Sequence, residues 1–112
     1  MDAEEIRLYV QVKPQAEECF PFGENTLVFK VRGKIFLLVS LDSQPLQFNA
    51  KCDPEKAILL REQYPSVIPG YHMNKKHWNT IYLDGSLSKR QILELIDESY
   101  NLVAPKKRKK TA

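Results

Sequence analysis

Few side chains in this sequence combine the type and the spacing that chemistry demands. Cys52, His72 and His77 are the one sulfur–imidazole set gathered in a single region, and such donors would suit zinc. Their spacing argues against it. There is no close CxxC pair and no HExxH, and the five-residue step between the histidines does not return to one helical face. A cysteine–histidine nucleophile would further need the base in contact with the thiol, and a substrate cleft. Gly23, Gly33, Gly70 and Gly85 form no phosphate loop. Asp84, Asp97 and Glu98 carry no paired-acid pattern. The adjacent Glu17 and Glu18 do not face a common substrate in either a helix or a strand. No metal, no other cofactor and no enzymatic activity is expected.

Positive charge is the second chemical resource. Lys30, Arg32 and Lys34 surround Gly33, and Lys75 and Lys76 lie between Asn74 and His77. Lysine and arginine on two loops can neutralise phosphates, while asparagine and histidine add hydrogen bonds. The candidate nucleic-acid-binding residues are therefore Lys30, Arg32, Lys34, Lys51, Asn74, Lys75, Lys76, His77 and Asn79. The plainer reading makes the same charges solubility and edge-protection devices. The net charge of +3 exaggerates the basic character, because five basic residues form the run Lys106 to Lys110. Without that run, twelve basic residues face fourteen acidic ones, a balance of −2. Any basic footprint on the body must be local. No base-reading code is evident, so weak, salt-dependent binding of DNA without a preferred site is expected. The alternative is a protein–protein interaction or chaperone-like adaptor module, marked by a contiguous apolar patch larger than a few hundred Å².

The 112 residues, 43% hydrophobic and 28% charged, suit one folded domain over 1–104. Residues 105–112, APKKRKKTA after Val103 apart from its first residue, read as a disordered basic tail and electrostatic arm. No apolar run reaches the roughly 20 residues that span a bilayer. The opening MDAEEIRLYV is acidic where an export signal would be basic. A monomeric, cytoplasmic protein with two separate reduced thiols, Cys19 and Cys52, is expected.

These residues must be positioned by short elements. Asp2 caps a first helix carrying Ile6, Tyr9 and Val10 on one stripe, stopped by Pro14. A connection over 14–25 holds a short strand around Cys19 to Phe22. Leu27, Phe29 and Val31 alternate with Val28, Lys30 and Arg32, and Gly33 turns the chain into an apolar run from Ile35 to Leu41. Leu46, Phe48, Ala50 and Cys52 alternate with Gln47, Asn49 and Lys51. Asp53 and Pro54 open a second helix over 54–64, closed by Pro65. Pro69 and Gly70 mark a turn before a strand from His77 to Leu83, in which Trp78 is a buried anchor. Ser88 and Gln91 form a capping box for a last amphipathic helix. The pattern predicts an α+β two-layer sandwich: an antiparallel sheet with helices mainly on one face. Its other face would display Lys30, Arg32, Gln47, Asn49 and Lys51.

The segments FPFGENTLVFKVRGKIFLLVSLD, FNAKCDPEKAILLREQYPSVIPGYHMNKKHWNTIYLDG and LIDESYNLV carry a resemblance. In their order, with KCDPE, PGYHMNKKHWN and IDESY, they resemble the small bacterial MmcQ/YjbR family across residues 2–103. The resemblance implies a CyaY-like or secretion-chaperone-like fold and a DNA-binding role with a double-wing arrangement. Its matching positions include Lys51, Tyr71, His72, Asn74, Lys75, Lys76, His77, Trp78 and Asn79. Frataxin-like relatives of that fold use an acidic iron-binding surface. Here only Asp2, Glu4 and Glu5 cluster in the first helix, so no iron site is expected.

Overall fold

Capping side chains decide where each helix begins. In the computed structural model, which describes residues 1–71 and 73–104, helix α1 (Ala3–Gln11) is opened by a reciprocal box. Asp2 accepts from the Glu5 amide at 2.9 Å, and Glu5 accepts from the Asp2 amide at 3.0 Å. Asp53 accepts from the amides of Glu55 and Lys56 to start α2 (Pro54–Gln63), with Pro54 where its missing N–H is harmless. Ser88 and Gln91 repeat the reciprocal box at α3 (Lys89–Val103).

Six strands make one antiparallel sheet: β1 (Ala16–Cys19), β2 (Thr26–Val31), β3 (Lys34–Ser40), β4 (Gln47–Lys51), β5 (Val67–Pro69) and β6 (Trp78–Tyr82). Their spatial order is β1-β2-β3-β4-β6-β5. The short first strand lies earlier than the expected 19–22. Its pairing with Val28–Val31 begins at Ala16, and Phe20 and Phe22 are left exposed in the following loop. Val67–Pro69, read as the approach to a turn, is instead the edge strand beside β6. An edge position tolerates Pro69.

The helices cover one face of this sheet. Ile6 and Val10 of α1 and Ile92, Ile96 and Val103 of α3 pack with Phe29, Val31, Leu37, Phe48 and Ile81. Arg7 of α1 reaches Glu18 of β1 at 3.0 Å. Asp97 of α3 accepts from Tyr9 at 2.8 Å and Lys13 at 2.6 Å, which fastens α1 to α3. Burial, then the neighbouring Asp97 carboxylate, holds the Tyr9 phenol above its ordinary pKa. A smaller cluster of Val28, Leu38 and Trp78, with Cys19, Ile35 and Met73 against it, lies on the opposite face. Trp78 is only 8% exposed, a buried anchor as expected.

The apolar run in β3 serves both faces by strand alternation, with one irregularity. Phe29 pairs with Leu37 and Lys30 with Ile35, so Phe36 is an extra residue in the ladder. Phe36 and Leu37 consequently both enter the helix-side core. The Phe36 ring meets Tyr100 edge-on at 5.3 Å. Between β3 and β4 the register ends at Leu37 opposite Ala50. One step further the Ser99 hydroxyl, from α3, accepts from the Lys51 amide at 2.8 Å and donates to the Phe36 carbonyl. A buried side chain thus completes the ladder that the bulge interrupts.

Ser99→Ala should leave the Phe36 carbonyl and Lys51 amide without that partner. A loss of about 1–3 kcal/mol is expected from urea unfolding monitored through Trp78 fluorescence. A change below about 0.5 kcal/mol would mean that the two strands close the gap themselves.

Candidate nucleic-acid interface

Strand direction decides which loops become neighbours. β2 rises to the Arg32–Gly33 turn and β3 descends from it, with Val31 opposite Lys34. β4 ends at Lys51 on that same end, and β6 begins there at Trp78. The loop over 70–77 therefore leads into the end that carries the basic hairpin. Lys30 pairs with Ile35 and Lys51 with Trp78 on the face that no helix covers. The Lys51 ammonium lies 5.8 Å from the Trp78 ring centroid.

The hairpin tip is a two-residue turn with left-handed backbone at both positions, φ 52° at Arg32 and 80° at Gly33. Asn-Gly is the unstrained choice for such a turn, and arginine is not. Arg32 and Lys34 are exposed, whereas Lys30 is half-buried and faces Glu17 across β1.

The second loop is tightly organised. The Asn74 carbonyl accepts from the amides of His77 and Trp78, and its side-chain oxygen accepts from the Lys76 amide at 2.9 Å. Gly70 packs so closely that a Cβ there would stand 2.8 Å from the Trp78 Cβ. The Lys75 ammonium donates to the Gly70 carbonyl at 3.1 Å. Lys76 and His77 are exposed.

Asn79 departs from the expected set. It lies on the helix-covered face, is 1% exposed, and accepts from Arg61 Nε at 2.7 Å. The alternation of β6 sends it away from Trp78 and Thr80, so its amide is a structural group. Arg61, read from sequence as an aliphatic stem, does more: its guanidinium also donates to the carbonyls of Lys75 and Trp78. A helix arginine thereby holds the basic loop from behind. Asn49, expected on an open polar face, is on that face but only 9% exposed. Phe22, Tyr71 and Met73 line a groove beside it, a placement that the sequence reading, which counted Tyr71 only among the family-matching positions, did not give them. No local pattern distinguishes an exposed loop aromatic from a packed one.

Among the described residues, no group of three or more histidine, cysteine or acidic side chains is gathered to hold a metal. His72 and the run 105–112 lie outside the described residues. Cys52 is buried and unpaired, and its backbone amide donates to the His77 carbonyl at 2.8 Å. Burial pushes the Cys52 thiol above its ordinary pKa, with the Glu98 carboxylate adding to the effect. No helix of the described residues is long and apolar enough to cross a membrane.

Comparison with known proteins assigns the lineage. The model of the YjbR family matches residues 11–102, and the chain belongs to that family. It is 48% identical over 91 residues to YbdF of Escherichia coli O157:H7, covering 80% of this chain and 74% of that one. It is 39% identical to YjbR of Escherichia coli K12 over 97% of this chain and 96% of that one. A crystal structure of a Deinococcus radiodurans protein superposes with a TM-score of 0.87 at 39% identity, covering 91% of this chain and 78% of that one. A Pseudomonas syringae crystal structure gives 0.78 at 27% identity, with 92% and 99% covered.

The buried thiol offers a chemical check on the packing beneath the 74–77 loop. A raised pKa means less thiolate at any pH below it, so Cys52 should react slowly with a thiol-specific reagent. In a Cys19→Ser variant the remaining thiol should be labelled at least about tenfold more slowly at pH 8 in buffer than in denaturant. Equal rates would mean that Cys52 is open in the native protein.

Proposed function

We propose that this YjbR-family protein is a non-enzymatic DNA-binding module that holds the phosphate backbone with two basic loops. One observation carries the reading: the antiparallel register brings the 30–34 hairpin, Lys51 and the 74–77 loop to the same end of one sheet. The exposed arginine at the hairpin tip supports it. A non-glycine side chain kept in left-handed backbone is a local strain that an asparagine would relieve. The contact set is Arg32, Lys34, Lys51, Lys76 and His77, with Lys30 and Lys75 contributing less. Lys30 is opposed by Glu17, and the Lys75 ammonium is engaged by its own loop. The binding unit is 1–104, and the basic run over 106–110 adds non-specific attraction.

Few phosphates are neutralised, and the body without the run has a balance of −2, so affinity is modest and falls steeply with salt. No base-reading code is apparent among the described residues at this end, so no preferred site is assigned. A protein-binding adaptor is the second reading, favoured by the neighbouring Ile58 and Leu59, 52% and 61% exposed on α2.

Fluorescence anisotropy of a labelled duplex at several salt concentrations tests the proposal. The intact chain, a chain ending at Ala104 and an Arg32→Ala/Lys34→Ala/Lys76→Ala variant would be compared. Each lost phosphate contact should flatten the slope of log K against log salt by about 0.9. The triple variant should therefore lose about two to three units of slope while the shortened chain retains a measurable one. Equal slopes for the triple variant and the intact chain would remove the loops from the interface. Binding that vanishes with the terminal run alone would assign it to that run, and no binding by any form would favour the adaptor.

A further inference from the structure

The two ends of the sheet carry charge of opposite sign. Arg32, Lys34, Lys51 and Lys76 gather at the hairpin end. The loops at the other end, residues 20–26, 41–47 and 83–88, hold Glu24, Asp42 and Asp84 and no lysine or arginine. A groove of about 500 Å³ lies on the bare face and runs from mid-sheet toward this acidic end. Its floor follows the ladder. Thr26 pairs with Ser40 and Ser40 with Gln47, while Leu38 pairs with Asn49 two residues closer to the hairpin. Phe22 and Tyr71, 65% and 60% exposed, line it from two separate loops. Asp42 is the one charged residue among the described residues of the lining. No described residue pairs with its carboxylate.

The floor also holds a hydrogen-bond donor that the fold leaves unused. Thr80 Oγ1 accepts from the Tyr71 amide at 2.9 Å and donates to Asn49 Oδ1, which fixes the Asn49 amide. The Asn49 Nδ2 group has no partner among the described residues, although the residue is only 9% exposed. A donor so nearly withdrawn from water calls for an acceptor on a ligand. The occupant must therefore bring positive charge to Asp42, a surface that stacks on aromatic rings, and an oxygen acceptor. A phosphate-bearing ligand fails the first requirement. An arginine residue meets all three. Its planar guanidinium lies flat on aromatic faces and offers two N–H groups to one carboxylate, and its backbone supplies a carbonyl. Lysine brings the charge without the flat face.

We propose that the groove holds one arginine of an extended peptide segment from a partner protein. The guanidinium stacks against Phe22 and Tyr71 and pairs with Asp42, while the arginine carbonyl accepts from Asn49 Nδ2. Ser40, level with Gln47, lies about 7 Å along the strands from Asn49, and Asp42 follows it into the turn. An extended arginine side chain covers a span of that order. Asp42 and both rings are exposed, so the segment can enter without disturbing the core. Complementary charge then selects basic segments over acidic ones. The site lies away from the phosphate contacts and does not rest on them.

Nuclear magnetic resonance of the isotope-labelled full chain provides the test, with a glycine peptide of about seven residues carrying one central arginine. The peptide should shift the Asn49 side-chain amide and the backbone amides of Phe22 and Asp42. It should bind about tenfold or more tightly than the same peptide with citrulline, which keeps the shape without the charge, and the lysine peptide should fall between them. Asp42→Asn and Phe22→Ala/Tyr71→Ala should each weaken binding about fivefold or more and leave duplex affinity unchanged, with thermal melting confirming the fold. Arg32→Ala/Lys34→Ala/Lys76→Ala should leave peptide affinity unchanged, so each reading can fail without the other. Agmatine keeps the guanidinium and lacks the carbonyl. Its binding as tightly as the peptide would assign the groove to a small cation and overturn the proposal. Groove signals that move on removal of residues 105–112 would assign it to the chain's own basic run, and signals that move with protein concentration to a second copy. Either result overturns a partner peptide. Equal binding of the arginine and citrulline peptides, shifts spread over the acidic surface, or no shift at all would overturn it too.

Discussion

The Ser99 hydroxyl is the joint on which the two layers depend. An extra residue in β3 turns Phe36 into the helix-side core, and the neighbouring β4 can no longer follow it with a regular ladder. Ser99 stands in that gap, receiving the Lys51 N–H and giving its own proton to Phe36. An apolar residue there would pack but would strand two backbone groups, each worth about 1–3 kcal/mol when buried without a partner. The consequence reaches the far face. Lys51 is positioned by a helix below the sheet while its ammonium sits near the indole above it.

The same division of labour organises β6. Three consecutive residues alternate between the faces, with Trp78 and Thr80 on the bare face and Asn79 under α2. Each is tied to the 70–77 segment or to what holds it. Arg61 grips Asn79 together with the carbonyls of Lys75 and Trp78. Thr80 receives the Tyr71 amide, and Gly70 allows the chain to pass against Trp78. The basic loop is thus clamped from both sides of the sheet. Pre-organisation of this kind lowers the ordering entropy that a flexible lysine loop would lose on binding.

Charge on this protein is spread thinly, and structure decides how much of it can act at a distance. Lys13 is spent between Asp97 and the rings of Tyr9 and Tyr100. Lys56 pairs with Glu98, and Arg7 pairs with Glu18. What remains near the hairpin and the 74–77 loop is a short row of cations on an otherwise balanced body. Any attraction they exert on an anion is local and easily screened.

Much of the architecture was legible in the chain itself. Asp2, Asp53 and Ser88 announce their helices because a capping oxygen acts on amides two or three residues away. Alternation in Leu27–Val31 and Gln47–Lys51 sorts the two faces because strand geometry repeats every two residues. Those are local rules, and local sequence suffices for them. The bulge at Phe36, the short edge strand Val67–Pro69 and the true start of β1 depend on which strand lies alongside, which no local pattern encodes. The candidate site divides in the same way. The two basic loops could be read as loops, but only strand order brings them to one end of the sheet. Asn79 was counted with the exposed loop residues and proved to be buried, because α2 covers its face of β6 and Arg61 and Ala57 take its amide. Asn49 and Arg61 find their hydrogen-bond partners at residues distant in sequence. Tertiary packing alone decides which polar atoms are consumed inside the fold and which stay open to solvent.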